Sequence, residues 1–161
     1  MRYIFLLLLI TSCATKSNWH LSQIDSQEVQ YRSSRFVYHP DKYCDLELEL
    51  VCYQNETKAF INLLHEALIQ ENNKPILLTF TIDGTSYEGA TYLLKGGQRL
   101  QISEPLTDKL INSLQQGKEI SIILNSSQLD IDPGNFTKIY AKRHQTRNSI
   151  VSIPLFEIFK R

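Results

Sequence analysis

Three cysteines are the residues of this chain whose positions most constrain its chemistry. Cys13 directly follows an apolar run near the start of the sequence, whereas Cys44 and Cys52 lie in its first half within an alternating segment. A cysteine thiol can carry a lipid, pair in a disulfide, ligate a metal or act as a nucleophile, and its surroundings decide among these. The three positions therefore need separate interpretations.

The residues before Cys13 resemble a bacterial lipobox. Met1-Arg2 is a short positive start, and the apolar run Tyr3–Ile10 is shorter than the roughly 20 residues that span a bilayer as a helix. Ile10-Thr11-Ser12-Cys13 then supplies an aliphatic residue, two small residues and the cysteine. The resemblance implies that residues 1–12 are a signal peptide and that Cys13 is acylated. Ala14 after it favours the outer membrane if the host is Gram-negative.

Acylation at Cys13 would determine where the protein works. Two or three acyl chains, at about 0.8 kcal/mol per buried methylene, hold a protein durably at a membrane. Loss of residues 1–12 removes one basic residue, Arg2, from an otherwise neutral chain, so the mature net charge is −1 and attraction to anionic lipid is not needed. We therefore expect a lipid-anchored protein of the cell envelope. The alternatives are an ordinary secretory signal with a chance cysteine and a buried N-terminal strand of a cytosolic protein.

Cys44 and Cys52 lead to two conflicting expectations. Two remaining thiols in an exported protein normally form a disulfide. However, apolar and polar residues alternate through 44–52, which predicts one continuous strand with an acidic outer face. Eight strand residues at about 3.3 Å each separate the two Cα atoms by roughly 26 Å, whereas a disulfide needs about 4.4–6.8 Å. Residues 46–49 contain no turn former, so we favour the strand with two unpaired core cysteines. An intramolecular disulfide and a bridge between chains stay open.

Other patterns that could do chemistry each lack a required residue. His65-Glu66 begins like the zinc-protease motif, but Ile69 stands where the second histidine belongs. Residues 130–135 resemble a calcium loop, but Ala141 occupies the position of the bidentate glutamate. Gly96-Gly97 lacks the strand, lysine and helix of a phosphate-binding loop. We therefore expect no metal or cofactor, and we interpret these places as a surface histidine, an Asp/Asn turn and a hairpin turn.

Charge and aromatic content favour a binding protein that does not recognise nucleic acid. The 17 Lys+Arg balance the 17 Asp+Glu, whereas phosphate binding requires a basic excess or stripe. One local basic cluster could contact an anionic glycan, a lipid headgroup or an acidic partner, although a solvated loop is the simpler interpretation. It comprises Lys138, Lys142, Arg143, His144 and Arg147. Tyr87, Tyr92 and Tyr140 are candidates for a contact surface, unless they fill the core.

The elements that must position these residues are mainly short β-strands in one domain. Residues 13–34 are interpreted as the acylated cysteine and a tether, and 35–161 as a single β-rich domain. Trp19, Leu21 and Ile24 are the apolar residues of the tether, and docking of these residues on the domain as a first strand stays open. Residues 58–69 fit a helix or a strand, and the preceding polar turn favours a strand to about residue 65. Asp83-Gly84 predicts a type I′ hairpin. The other predicted strands are 36–38, 44–52, 76–82, 90–94, 99–103, 119–124, one that begins at 129 and continues after a break as 136–141, and an edge strand at 150–159.

One short helix is predicted at about 104–116. Ser103 suits its N-cap, Pro105 its first turn and Gly117 its end. About eight strands with close turns and one helix predict an antiparallel β-sandwich or open barrel. This layout is similar to small exported sandwich domains such as the invasion-associated locus B family, and the similarity assigns no functional residue.

These features together predict a non-enzymatic binding or structural module held at a membrane by its lipid. The expected partner is an envelope protein, a glycan or a host molecule. The alternatives are an inhibitor of an envelope-directed hydrolase and an envelope enzyme with dispersed catalytic residues. Surface shape discriminates between them, because an enzyme needs a pocket with convergent titratable groups. A flat apolar or aromatic patch is typical of a binding protein.

Overall fold

The structure is a computed structural model of the 161-residue chain. Cys13, His144, Arg147 and the strand predicted at 150–159 lie outside the residues that it describes. Those residues are 18–24, 26, 28, 32–40, 44–53, 56–65, 67–69 and 74–143.

Nine strands and two short helices make up the described part of the chain, which confirms a mainly β fold. The first four strands follow one another closely, and the longer helix separates the seventh strand from the eighth. The elements are β1 Trp19–Ile24, β2 Ser33–Tyr38, β3 Leu46–Tyr53, β4 Glu56–Leu63, β5 Ile76–Ile82, β6 Thr85–Leu93, β7 Arg99–Ile102, α1 Glu104–Gln115, β8 Ile120–Leu124, β9 Ser127–Ile131 and α2 Phe136–Ala141.

All nine strands belong to one antiparallel sheet, which is not closed into a barrel. The strand order is β1-β2-β3-β4-β7-β6-β5-β8-β9. Strands β1 to β4 form consecutive hairpins, as do β5 to β7 and the pair β8–β9. Two pairings between strands distant in the chain join these groups, β4 with β7 and β5 with β8. The β4–β7 joint has only three residue pairs.

Alternate residues of every strand point to the inner face of the sheet, where the core lies. The α1 residues Leu110 and Leu114 are buried in that core. The sheet curls so that its two edges approach, because Trp19 Nε1 donates to Asp132 O at 2.9 Å and Asp132 N donates to Tyr38 Oη at 3.1 Å. The helices cover the inner face, and the outer face carries the other set of alternating residues.

The structure corrects two predictions about the ends of the domain. The sheet begins at Trp19 rather than near residue 35, so the first strand that the sequence left open is formed. Trp19 packs 4.7 Å from Phe136 and 5.1 Å from Tyr38 by ring centroids, which holds this strand on the domain. Residues 136–141 form a second helix rather than a strand. Phe136 and Tyr140, four positions apart on that helix, stack at 5.0 Å and enter the core together.

Several local predictions are confirmed. Asp83 and Gly84 have φ of 52° and 74°, as a type I′ turn requires, and they join β5 to β6. The segment from Glu56 to Leu63 is a strand. The helix α1 occupies 104–115 and ends before Gly117, whose φ is 76°. Ser103 lies at the N-cap, although its side chain makes no capping hydrogen bond. Within the described ranges, neither helix has the length and apolar character needed to cross a bilayer.

Candidate functional site

Cys44 and Cys52 are both free thiols, so the structure does not contain the disulfide that the sequence left open. Cys52 lies near the end of the continuous strand β3, and Cys44 precedes its start. Their contacts also differ, since Cys44 Sγ donates to Gln128 O at 3.4 Å and Cys52 Sγ lies 3.3 Å from Thr57 Oγ1. The strand separates the two thiols, as the alternation predicted.

Cys52 is placed as a core residue rather than a nucleophile. Burial raises the pKa of its thiol, and the hydrogen bond with Thr57 only partly opposes that effect. Thr57 Oγ1 is in turn 3.4 Å from Tyr140 Oη, and the guanidinium carbon of Arg143 lies 4.0 Å above the Tyr140 ring. A thiol with a raised pKa is protonated near neutral pH and reacts slowly.

A cleft with a volume of about 720 Å³ lies at one end of the sheet. It is lined by the β5–β6 turn, the segment leading into β8 and the end of β9, and Lys118 Nζ pairs across it with Asp83 Oδ2 at 3.2 Å. No histidine or cysteine is among its described lining residues. A hydrogen bond from Gln128 lowers the pKa of Asp130 in its wall, so that carboxylate is ionised and is not a proton donor at neutral pH.

The other sequence patterns occupy the structural roles expected of them. His65 lies exposed just beyond β4, with Nε2 at 4.0 Å from Asp45 Oδ1. Asp132 Oδ1 accepts a hydrogen bond from Gly134 N at 2.8 Å, which makes residues 132–134 an Asx turn. No group of three or more potential metal-ligating side chains comes together within the described segments.

The predicted basic cluster is only partly described. Lys138 and Lys142 are exposed on α2 and just after it, whereas Arg143 packs on the ring of Tyr140. The three candidate tyrosines also differ in their exposure. Tyr140 is buried, the ring of Tyr87 lies under Lys109 Nζ at 3.0 Å from its centroid, and Tyr92 is 60% exposed.

The outer face of the sheet contains a buried carboxylate that the sequence analysis did not single out. The side chain of Glu49, on β3, is only 4% exposed although it points away from the core. It is covered by donors from three other strands. Arg35 Nε on β2 donates to Oε1 at 2.6 Å, and Asn62 Nδ2 on β4 and Arg99 Nη2 on β7 lie 2.8 and 3.1 Å from Oε2.

Glu47 extends this network along the same face. Asn62 Nδ2 also donates to Glu47 Oε1 at 2.9 Å, and His39 Nδ1 lies 3.0 Å from Glu47 Oε2. Burial by itself raises the pKa of Glu49, but the hydrogen bonds from Arg35 and Asn62 and the charge of Arg99 outweigh it and hold the pKa below its ordinary value. The hydrogen bond to Glu49 raises the pKa of Arg35. Both charges of the pair are therefore fixed at physiological pH.

Aromatic and apolar side chains lie next to this network. The Arg99 guanidinium carbon is 3.9 Å from the centroid of the Phe60 ring. Tyr92 pairs with Gln101 on the neighbouring strand, which places it diagonally across from Arg99, and Leu77 on β5 is diagonal to Tyr92. Tyr92 and Leu77 are each 60% exposed. We call this surface the outer-face patch, formed by Arg35, Glu49, Phe60, Leu77, Tyr92 and Arg99.

The sequence carried only part of the signal for this patch. The alternation in β3 correctly placed the acidic residues Glu47 and Glu49 on the outer face. It gave no indication that Arg35 and Arg99 would cover Glu49. Arg99 comes from β7, which is distant in the chain, and Arg35 on the preceding strand β2 reaches Glu49 only in the register that pairs Val37 with Glu49.

Comparison with known proteins identifies no relative. No protein-family model, no curated protein and no solved structure matches the chain. The lipobox and the similarity of layout to small exported sandwich domains remain predictions.

Proposed function

We propose that this chain is a lipid-anchored protein of the cell envelope that binds a partner protein through its outer-face patch and has no catalytic activity. The observation that carries the proposal is the patch itself, where the exposed Tyr92 and Leu77 lie on the side of Arg99, one of two arginines held in place by a buried carboxylate. Tyrosine and arginine are enriched among the residues that dominate binding energy at protein interfaces. Anchoring through Cys13 rests on the lipobox.

The clefts support a binding role over a catalytic one. An enzyme whose catalytic residues are far apart in the sequence still needs titratable groups that converge in a pocket of the folded protein. Titratable groups do line the cleft of about 720 Å³, but most already have structural partners, since Lys118 pairs with Asp83, Asp130 accepts from Gln128 and Asp132 accepts from Gly134 N. The buried titratable network lies instead on the outer face of the sheet.

The anchoring half of the proposal is tested by Cys13→Ser in a bacterium that processes lipoproteins. The unsubstituted protein is expected in the membrane fraction, with a mass increased by its acyl chains. Cys13→Ser is expected to lose both properties, while the matched variant Cys44→Ser keeps them. Retention of the membrane location and the acyl mass by Cys13→Ser would refute lipidation at this residue.

The binding half is tested by photo-crosslinking in intact cells. A photoreactive residue at Tyr92 is expected to give one reproducible crosslinked product, and the same residue at Asn112, exposed on α1, is expected to give none. Leu77→Ser should reduce the Tyr92 product because it removes neighbouring apolar contact. Equal products from both positions, or turnover of a cell-wall substrate by the purified protein, would contradict a binding function at this patch.

A further inference from the structure

The negative charges of the outer-face network are buried, and its positive charges are exposed. The side chains of Glu49 and Glu47 are 4% and 13% exposed, whereas those of Arg35 and Arg99 are 49% and 37% exposed. The two arginines equal the two carboxylates in number, but of these four side chains only the arginines face solvent substantially. Within this network, the charged groups that an approaching molecule meets first are therefore the arginines.

The two arginines retain unused hydrogen-bond donors. Arg35 binds Glu49 through Nε, and its terminal nitrogens donate to no acceptor among the described residues. Arg99 contacts Glu49 through Nη2 at 3.1 Å. Its Nε has no acceptor in the described part of the chain but is itself buried, so only the terminal nitrogens of Arg99 can face a partner. A guanidinium has five N–H groups in a planar fork that matches the two oxygens of a carboxylate. Each arginine can therefore accept a further anionic group while it remains bound to Glu49.

The arginines are also held in position before any partner arrives. Glu49 fixes both guanidinium groups, and the Phe60 ring supports Arg99 from below at 3.9 Å. Side-chain order that already exists in the free protein is not lost again on binding, which favours affinity. Other charges nearby add little, because Lys58 Nζ pairs with Glu56 Oε2 at 3.7 Å on the same face.

The surroundings of the arginines favour a protein segment over a lipid headgroup. Tyr92 and Leu77 provide an exposed apolar surface on the side of Arg99, and Glu88, exposed on the same strand as Tyr92, bounds the patch with a negative charge. A membrane surface attracts clustered positive charge, whereas a mixture of arginine, tyrosine and leucine is typical of a protein interface.

We infer that the outer-face patch binds an acidic protein segment, whose carboxylates pair with Arg35 and Arg99 and whose apolar side chains contact Tyr92 and Leu77. This inference rests on the proposed binding function and adds the chemistry of the partner. It also predicts salt dependence, because the pairing groups on the protein are partly exposed and are screened by ions.

The test uses the full chain in a non-ionic detergent and a fluorescent octaglutamate peptide as the probe. Saturable binding is expected, weaker at physiological than at low ionic strength, with no binding of an uncharged Gly-Ser octapeptide. Arg35→Gln and Arg99→Gln are each expected to weaken binding about tenfold, because each removes a charge-assisted pair. Lys138→Gln and Lys142→Gln remove the same charge elsewhere and should leave the affinity within about twofold.

The outcomes separate the possible failures. Arg35→Gln is decisive if Arg99→Gln does not fold, because Glu49 keeps Arg99 and Asn62 when Arg35 is replaced. Equal weakening by the lysine variants would overturn the inference, and so would no binding of octaglutamate.

Arginine-dependent binding to phosphatidylcholine–phosphatidylglycerol vesicles without peptide binding would assign the patch to a membrane instead. If crosslinking from Tyr92 persists while octaglutamate fails to bind, the partner chemistry is wrong but the binding function stands; loss of the crosslink refutes the binding function itself.

Discussion

Replacement of Glu49 by glutamine tests the buried charge network most directly. Glutamine keeps the volume of the side chain but removes the charge that three donors share. A hydrogen bond to a charged group contributes about 1.5–3 kcal/mol, and loss of one partner from a fully buried ion pair costs about 3–5 kcal/mol. Arg35 and Arg99 are partly exposed and can regain water when Glu49 is replaced. We therefore expect Glu49→Gln to lower the free energy of unfolding by about 2–3 kcal/mol at pH 7.

Urea unfolding followed by circular dichroism measures this loss. For a protein of this size, the loss corresponds to a decrease in melting temperature of about 4–12 °C. Glu88→Gln makes the same chemical change at an exposed position on β6 and should alter the free energy of unfolding by less than about 0.5 kcal/mol. A loss in Glu49→Gln no larger than that of the control would refute the role of Glu49.

The pH dependence gives an independent check on the same variant. The pKa of Glu49 in the folded protein lies below its ordinary value, which is about 4.3 for the unfolded chain. Its stabilisation is therefore complete above about pH 4.3 and is lost as the pH falls through the folded pKa. The stability difference between the unsubstituted protein and Glu49→Gln should shrink below that pH. A difference that stays constant down to pH 3 would show that the charge is not the cause.

Two further measurements test other parts of the structure. Gly97→Ala should destabilise the protein by at least about 1 kcal/mol more than Gly117→Ala. Both glycines have φ near 75°, but only a Cβ added at Gly97 would lie 2.7 Å from Leu68 O. Equal losses in the free energy of unfolding would contradict that contact. Thiol titration without reductant should show Cys44 reacting before the buried Cys52, with Cys44→Ser removing the fast phase and Cys52→Ser the slow phase. A protein with no reactive thiol at either position after unfolding would contradict the free cysteines.

Much of the sheet could be predicted because its signals are local. The alternation around Leu48, the Asp83-Gly84 turn and the glycine after α1 each act within a few residues, and each is found where the sequence placed it. Residues 136–141 are predicted as a strand from their own sequence but form a helix. Their packing against Trp19, more than 110 positions away in the chain, selects the helix.

The outer-face patch was beyond local patterns for the same reason. Its central feature is the burial of Glu49, and that burial depends on which strands become neighbours. Only the order β2-β3-β4-β7 brings Arg35 and Arg99 to opposite sides of the carboxylate. Without strand order, Glu49 is indistinguishable from any exposed acidic residue of an amphipathic strand.

The three-pair joint between β4 and β7 has a consequence for the order of folding. Within each hairpin group, strands that are neighbours in the chain also pair, and such contacts form quickly. The joint instead brings together Asn62 and Arg99, and it closes a loop of more than 30 residues around β5 and β6. We expect the hairpin groups to form first and the β4–β7 pairing to form in the transition state of folding. Leu100→Ala, which alters this pairing, should therefore slow refolding. A substitution in the β1–β2 hairpin should mainly accelerate unfolding.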